Sequence, residues 1–263
     1  MSKYLFFIKN GFKENFIYRT NSYLMILGSL VGLLITVNIW QALYINKTSV
    51  SGITLADMII TVILNSIILS FTNSNIAEDL ANRVTDGSIS TDLIKPFNLK
   101  WSMFSTQLGA NIFKFIFSSF PILIIAIIFL DFRLPKDNRY MVVFILSFCN
   151  SILLSYILNY IIGLWAFWLK KASYPRWFLD ASFKLFGGSV VPLWFYPDAL
   201  YSISYMLPFR FIFFEPIKIY LMKCDLNEAI HILIMQLFWI LVLFALERII
   251  WSRAQKIITV FGG

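Results

Sequence analysis

The chain has 263 residues, of which 59% are hydrophobic and only 14% are charged, and its mean hydropathy is +0.76. Because soluble domains carry about 25% charged residues, this composition excludes an ordinary soluble protein and indicates an integral membrane protein. The net charge of +8 is better explained by membrane topology than by nucleic-acid binding. Two cysteines and one histidine are too few for a Cys/His metal cluster.

The first twenty residues predict an amphipathic helix at 3–19. Its apolar residues recur every three or four positions and therefore share one helical face: Leu5, Ile8, Phe12 and Phe16. Lysines and other charged residues surround this face. The pattern is typical of a helix that lies in the headgroup region of the membrane ahead of the first crossing.

Six apolar segments predict six membrane crossings, since about 20 helical residues span a bilayer core. They lie near 21–45, 57–77, 103–130, 140–169, 178–196 and 229–247. If the N-terminus is cytoplasmic, the cytoplasmic segments hold about twice as many lysines and arginines as the outer loops, which predicts that both termini are cytoplasmic. No linker divides the chain, so we expect one all-α transmembrane domain over 1–263.

The segment 187–216 is apolar but rich in glycine and proline. Prolines at these intervals break or kink a helix, and broken backbone is tolerated at membrane depth only where protein or a cavity surrounds it. We therefore expect the fifth crossing to be followed by re-entrant helices that dip back from the outer face. An ordinary outer loop on the membrane surface is the alternative.

Polar side chains inside the predicted crossings are candidates for function, because such residues normally face protein or water. Asn150 and Asn159 are better explained as contacts between helices. For Asn65 and Asn73 a structural role and a substrate contact are equally well supported. Lys114 lies close enough to the cytoplasmic side for its side chain to reach the interface.

One long polar stretch, "AEDLANRVTDGSISTDLIKPFNLKW" at residues 77–101, separates two apolar segments. Gly87 is suited to end the helix that precedes it, because glycine readily adopts the left-handed conformation at a helix C-terminus. A second helix of about two turns can begin after Ser88 or Ser90, whose hydroxyls can cap it, and Pro96 ends it.

On this second helix the apolar side chains Ile89, Leu93 and Phe97 are four residues apart and would project from one side. Asp86, Asp92 and Lys95 would surround them. Spaced apolar anchors of this kind fit a groove on a partner protein. A surface helix that rests on lipid is the alternative, although the acidic residues disfavour contact with an anionic leaflet.

No catalytic motif is present in the sequence. It lacks a G-x-x-x-x-G-K-[ST] phosphate loop as well as H-E-x-x-H and G-x-S-x-G motifs. A membrane-embedded enzyme acting on lipids is a further alternative, but it requires a catalytic constellation that the sequence does not show; Asp225 and Glu228 are near His231 in sequence, and nothing else supports an acid–base pair. Spaced acidic residues of a proton or sodium relay are absent from the crossings as well.

Two motifs resemble those of the ABC-two exporter permeases, the membrane subunits with the type V exporter fold. The first, G-x-(I/L)-x-x-x-L-(I/L)-x-P in the first cytoplasmic loop, is matched by residues 87–96. The second, G-x-x-(I/V)-P-L-x-(F/W)-(F/Y)-P followed by L-P-F and a further proline, is matched by residues 188–197, 207–209 and Pro216. The resemblance covers the whole chain.

The resemblance implies a role for each of these segments. Residues 86–97 would be the coupling helix that docks on a separate cytoplasmic ABC ATPase, with these coupling residues: Asp86, Gly87, Ile89, Asp92, Leu93, Lys95 and Pro96. The helix at 3–19 would be the interfacial connecting helix. The region 187–216 would close the outer exit, with these motif residues: Gly188, Pro192, Pro197, Pro208 and Phe209. The translocation path would include Asn65, Asn73 and Phe195.

The resemblance also implies partners and location. A second permease, identical or related, would complete the path, and ATP and Mg would bind the ATPase subunits rather than this chain. The protein would be a multi-pass exporter subunit of the cell (inner) membrane, with an amphipathic, lipid-like, peptide or drug-like cargo. The alternative function is an ion-coupled membrane transporter or channel that acts without an ATPase.

Overall fold

The computed structural model describes residues 3–17, 19–130, 132–169 and 173–258. Helices form most of this part of the chain, and its one β feature is a single bridge between Val50 and Ile53. The prediction of an all-α membrane protein is therefore confirmed. The α-helices are α1 (Lys3–Ile17), α2 (Arg19–Leu43), α3 (Leu55–Thr72), α4 (Ile76–Thr85), α5 (Ile89–Leu93), α6 (Leu99–Lys114), α7 (Phe120–Phe129), α8 (Asn138–Leu164), α9 (Ala166–Leu169), α10 (Ser173–Phe186), α11 (Asp198–Met206), α12 (Phe214–Tyr220) and α13 (Leu226–Ile258).

Five helical segments of the described residues are long and apolar enough to cross a membrane: Leu24–Leu43, Leu55–Thr85, Leu99–Phe129, Asn138–Leu169 and Leu226–Lys256. They correspond to the first four predicted crossings and the last one. Between α6 and α7 the helix widens into a π-helical turn at Phe115–Ser119. Pro121 explains this turn, because its ring would clash with the carbonyl four residues earlier in a regular helix.

The predicted fifth crossing at 178–196 is not one unbroken helix, in keeping with the breaks expected from its glycines and prolines. Helix α10 already ends at Phe186, and Gly188 adopts a left-handed φ of +72° that an α-helix does not contain. The chain nevertheless returns from one end of the bundle to the other. Arg176 pairs with Glu78 (2.6 Å) near one end, and Lys223 pairs with Asp57 (2.8 Å) near the other. The count of six crossings stays a prediction.

The bundle therefore has two ends, which we name by their contents. The α1 end holds α1, residues 86–97 and the C-terminal part of α13, where Lys100 pairs with Glu247 (2.8 Å). The opposite end holds residues 44–54, 132–137 and 220–225, where the Tyr140 hydroxyl donates to the Cys224 carbonyl. Between the two ends α8 packs against α13, α4 and α12, and it contributes the fully buried Leu154 to the core.

Helix α1 crosses α6 at very close range, and two glycines make this possible. A Cβ atom on Gly11 would lie 1.9 Å from the Thr106 carbonyl oxygen, and one on Gly109 would lie 2.0 Å from the Ile8 carbonyl oxygen. Phe12 packs edge-on against Phe113 in the same contact. The predicted helix at 3–19 is thus present as α1, and it is fixed to α6 through its glycine face.

Candidate functional site

The turn after α4 is built as the sequence predicts at Gly87. The backbone N–H of Asp86 donates to the Asn82 carbonyl, and Gly87 then adopts a φ of +77°. This left-handed conformation ends the helix, as expected for a glycine at this position. The predicted capping by the Ser88 or Ser90 hydroxyl is not observed. Instead, the carboxylate of Asp86 accepts the Ser88 backbone N–H (2.9 Å).

The helix that follows is shorter than predicted, and other side chains face the solvent than the sequence indicated. Helix α5 has five residues, and Ile89 at its start is only 3% exposed because it packs into the core. The prediction that Ile89 projects beside Leu93 is therefore wrong. Leu93 and Ile94 are the exposed apolar pair, with 38% and 84% of their surface accessible. Ile94 was not predicted as an exposed anchor, although its place next to Leu93 in an otherwise polar stretch was a usable signal.

Asp92 holds α5 in place as a buried anion rather than as part of a charged rim. Its carboxylate, 6% exposed, accepts hydrogen bonds from Lys95 (2.6 Å) and from Arg83 of α4. Burial alone would raise the pKa of Asp92, but the hydrogen bonds and positive charges of Lys95 and Arg83 outweigh burial, so this pKa lies below its ordinary value. Arg83, which the sequence analysis did not select, thus ties α5 to α4.

Helix α1 supports the other end of the same segment. The Lys3 ammonium donates to the Pro96 carbonyl (3.3 Å), and the Phe7 ring packs edge-on against Phe97 with 5.1 Å between centroids. Residues 86–97, which we name the docking segment, are therefore fixed to α4 on one side and to α1 on the other. Asp86, Gly87, Lys95 and Pro96 are exposed at its surface.

A cavity of about 400 Å³ lies between α2, α3 and the helix formed by α6 and α7, and we name it the inner cavity. Two of the three predicted path residues, Asn65 and Asn73, lie in its wall together with Lys114. The third, Phe195, is not among the residues around it and packs instead against Trp40, with 5.5 Å between centroids. Hydroxyls and aliphatic groups complete the wall: Ser29, Thr36, Ser66, Ser70, Ser118, Ser189, Leu33, Val62, Leu69 and Ile122.

Asn65 links the inner cavity to the broken fifth region. Its side-chain amide N–H donates to the Ser189 carbonyl, one residue beyond the left-handed Gly188. The Asn65 side-chain oxygen has no hydrogen-bond partner although the residue is only 9% exposed. A buried acceptor without a partner costs free energy, so this oxygen can gain from a further hydrogen-bond donor.

The residues of the second motif form two 3₁₀ turns and the start of α11. Pro192 precedes a 3₁₀ turn at Leu193–Phe195, and Pro197 directly precedes α11. Pro208 begins a second 3₁₀ turn, where Phe209 packs on Phe183 and on Phe186. Each proline therefore stands at a helix start, where its missing N–H costs no hydrogen bond. The predicted re-entrant course through the membrane stays a prediction.

Four of the remaining polar candidates have partners within the protein. Asn150 of α8 donates to Gln236 of α13 (3.3 Å), as expected for a contact between helices. Asn159 instead donates to the Ser155 carbonyl of its own helix (2.9 Å). Asp225 accepts the Glu228 backbone N–H, and Glu228 accepts from Lys218, while His231 is exposed on α13.

A second cavity, of about 380 Å³, lies between α1, α4 and α6 under the docking segment. We name it the surface cavity. Its wall carries carboxylates and cations together: Glu14, Asp79, Asp92, Arg83, Lys95 and Lys114. Lys114 is part of the walls of both cavities, and its ammonium donates to the Asn73 carbonyl (3.1 Å). Sequence patterns could not reveal this, because Lys114 is far from the docking segment along the chain.

A polytopic helical membrane protein with a cavity of mixed polar and aliphatic lining among its helices, and a projecting loop held at one end, has the architecture expected of a membrane transport protein. The family model for ABC-2 family transporter proteins matches residues 30–260. The chain belongs to this family and is an ABC-2 type permease, the transmembrane subunit of an ABC transporter. Membership implies a partnership with ABC ATPase subunits. A search of curated proteins found no match.

Proposed function

We propose that this chain is the permease of an ATP-driven exporter with the type V fold, and that the docking segment 86–97 inserts into a groove of a separate cytoplasmic ATPase. The observation that carries the proposal is the exposed pair Leu93 and Ile94 on a segment that the protein already holds rigid. Apolar anchors on a preformed turn suit recognition by a groove, because little conformational entropy is lost on binding.

The contacts of the docking segment explain how ATPase motion would reach the membrane part. Through Arg83 and Asp92 the segment is tied to α4, and at Asn98, whose side chain caps α6, it leads directly into that helix. Helix α4 follows α3 after a short non-helical break at 73–75, and α3 and α6 both contribute residues to the inner cavity. A shift of the docking segment would therefore reach the cavity directly through α6 and, across this break, through α4 and α3.

In the proposed cycle two permeases, identical or related, face each other, and ATP and Mg bind the ATPase subunits. Closure of the ATPase pair moves the docking segments and switches the path between inward and outward access. A cargo shifts this equilibrium only by its different affinities for the two states. Both termini would be cytoplasmic in the inner membrane, and Asn65 and Asn73 would contact the cargo.

The test is a pull-down of the tagged chain in mild detergent from its native membrane, with Leu93→Arg and Ile94→Arg as variants. An apolar anchor in the centre of an interface contributes about 2 kcal/mol or more, so each variant is expected to lose most of a co-purifying ATPase. Leu134→Arg, at an exposed apolar residue of the opposite end, is the control and is expected to retain the ATPase.

If no subunit with nucleotide-binding motifs accompanies the native chain, the ATP-driven mechanism is contradicted and an ion-coupled transporter or channel is favoured. If an ATPase is retained equally by all variants, the docking segment is not its binding site. Size-exclusion chromatography of each variant shows whether the permease itself remains folded.

A further inference from the structure

Lys114 makes no direct ion pair with a carboxylate in the described part of the chain, and Asp79 attracts it only from a longer distance. Its ammonium donates to the Asn73 carbonyl, and none of the described carboxylates lies within the 4.0 Å that defines an ion pair. An ammonium group has three N–H donors, so donors remain for another acceptor. Unpaired charges in a partly apolar environment are costly, and an anion that pairs with this one would reduce the cost.

The two cavities that share Lys114 differ in charge. In the surface cavity the cations face carboxylates of comparable number, so that cavity has no clear preference for either sign. Among the described side chains around the inner cavity, Lys114 is the one that carries a charge. The inner cavity is therefore the place where a negative group gains most from the lysine.

The wall of the inner cavity is also divided between polar and aliphatic groups. The hydroxyls of Ser29 and Ser70 donate to carbonyls of their own helices, so they do not compete with Lys114 as donors to an anion. Leu33 and Ile122 face the same space. A small inorganic anion would leave these aliphatic groups uncovered, whereas a hydrocarbon chain would bury them.

We propose that the inner cavity takes the anionic head group of an amphipathic cargo, a carboxylate, phosphate or sulfate, and that Lys114 binds it. That this ligand is a transported cargo rests on the proposed function, whereas its binding at Lys114 does not. An anionic lipid and a soluble anionic amphiphile share this chemistry.

The test uses the purified permease without an ATPase, in neutral maltoside micelles. The probes are dodecyl phosphate, dodecyltrimethylammonium as a cation with the same chain, and inorganic phosphate as the head group alone. Affinity is taken from the rise in unfolding temperature with probe concentration, since a ligand of the native state stabilises it. Dodecyl phosphate is expected to bind about tenfold or more tightly than either other probe.

The variants separate Lys114 from general surface charge. Lys114→Met is expected to lose this preference and Lys114→Arg to keep it, because the arginine retains the positive charge. Lys47→Met removes an exposed lysine of the 44–54 loop and is the control that is expected to bind like the native chain. Displacement of dodecyl phosphate by phosphatidic acid supports a lipid cargo, and a lack of displacement supports a soluble amphiphile. Both results agree with binding of an anionic head group at Lys114.

Equal binding of the two dodecyl probes by the native chain overturns the proposal, and this comparison needs no variant to fold. Unchanged binding of dodecyl phosphate by folded Lys114→Met, or equal binding of inorganic phosphate, overturns it as well. Because the ATPase is absent from this experiment, its failure leaves docking at 86–97 untouched. Conversely, if no ATPase is found in the pull-down, the binding of dodecyl phosphate at Lys114 is still tested independently.

Discussion

Arg210 and Glu215 form an ion pair (2.8 Å) in which the two side chains are only 7% and 2% exposed, and the guanidinium also lies 3.7 Å above the Tyr205 ring. Removing one partner of such a pair leaves a buried charge uncompensated, which costs about 3–5 kcal/mol. We therefore expect Arg210→Met to lower the unfolding free energy by about that amount, measured by denaturant unfolding in detergent. Arg139→Met, at the exposed pair with Asp137, is expected to leave unfolding unchanged. Equal losses in both variants would contradict the prediction.

Asp92 gives the docking segment a defined dependence on pH. Its pKa is lower in the folded protein than in the unfolded chain, so its ion pairs stabilise the fold fully above about pH 4, the ordinary range of aspartate, and this stabilisation is lost as the pH falls further. We expect the native chain to unfold at a higher temperature than Asp92→Asn at pH 7, and the difference to shrink below about pH 4. A difference that stays constant down to pH 3 would show that these ion pairs add nothing.

The residues of this segment also show what a sequence can and cannot predict. The turn at Gly87 was predictable because it depends on the backbone of one residue. The burial of Ile89 and of Asp92 was not predictable, because it depends on α4 and on the core behind α5. A helical pattern shows which side of a short helix is apolar, but it does not show which other element packs against that side. Arg83 is nine residues before its partner and belongs to another helix, so no local spacing pointed to it.

The contact between α1 and α6 is the mechanical support of the docking segment, and it depends on two small residues. We expect Gly11→Ala and Gly109→Ala to force the helices apart and to destabilise the protein by about 1–3 kcal/mol, the usual cost of overpacking. Gly28→Ala on α2 meets no atom within 4 Å and is the matched control; alanine favours helix there, so stability is expected to stay equal or rise slightly. Thermal unfolding in detergent measures all three. Tolerance of alanine at both crossing positions would mean that the helices can separate without cost.

The five long helices were predictable from length and apolarity, whereas the path of residues 173–224 was not. Each long crossing needs only an uninterrupted apolar run, which is visible in the sequence. The fifth region combines a short helix with Gly188 and several prolines, and its course is set by distant contacts such as Arg176 with Glu78 and Lys223 with Asp57. The inner cavity could not be predicted as a cavity, although Asn65 and Asn73 pointed towards it, because its walls come from four separate parts of the chain.

The arrangement of the two ends leads to a prediction about orientation in the membrane. The α1 end carries the docking segment and must face the cytoplasm if an ATPase binds there, and the excess of lysine and arginine in the same segments favours this side. We expect a single cysteine at Ser90 to react with a membrane-impermeant maleimide only in inverted vesicles, and one at Thr48 to react in intact cells. Both positions are exposed, and the native Cys149 and Cys224 are replaced by serine beforehand. The opposite labelling pattern would place the docking segment outside the cell, where no ATP is available. It would therefore exclude coupling of this segment to an ATPase.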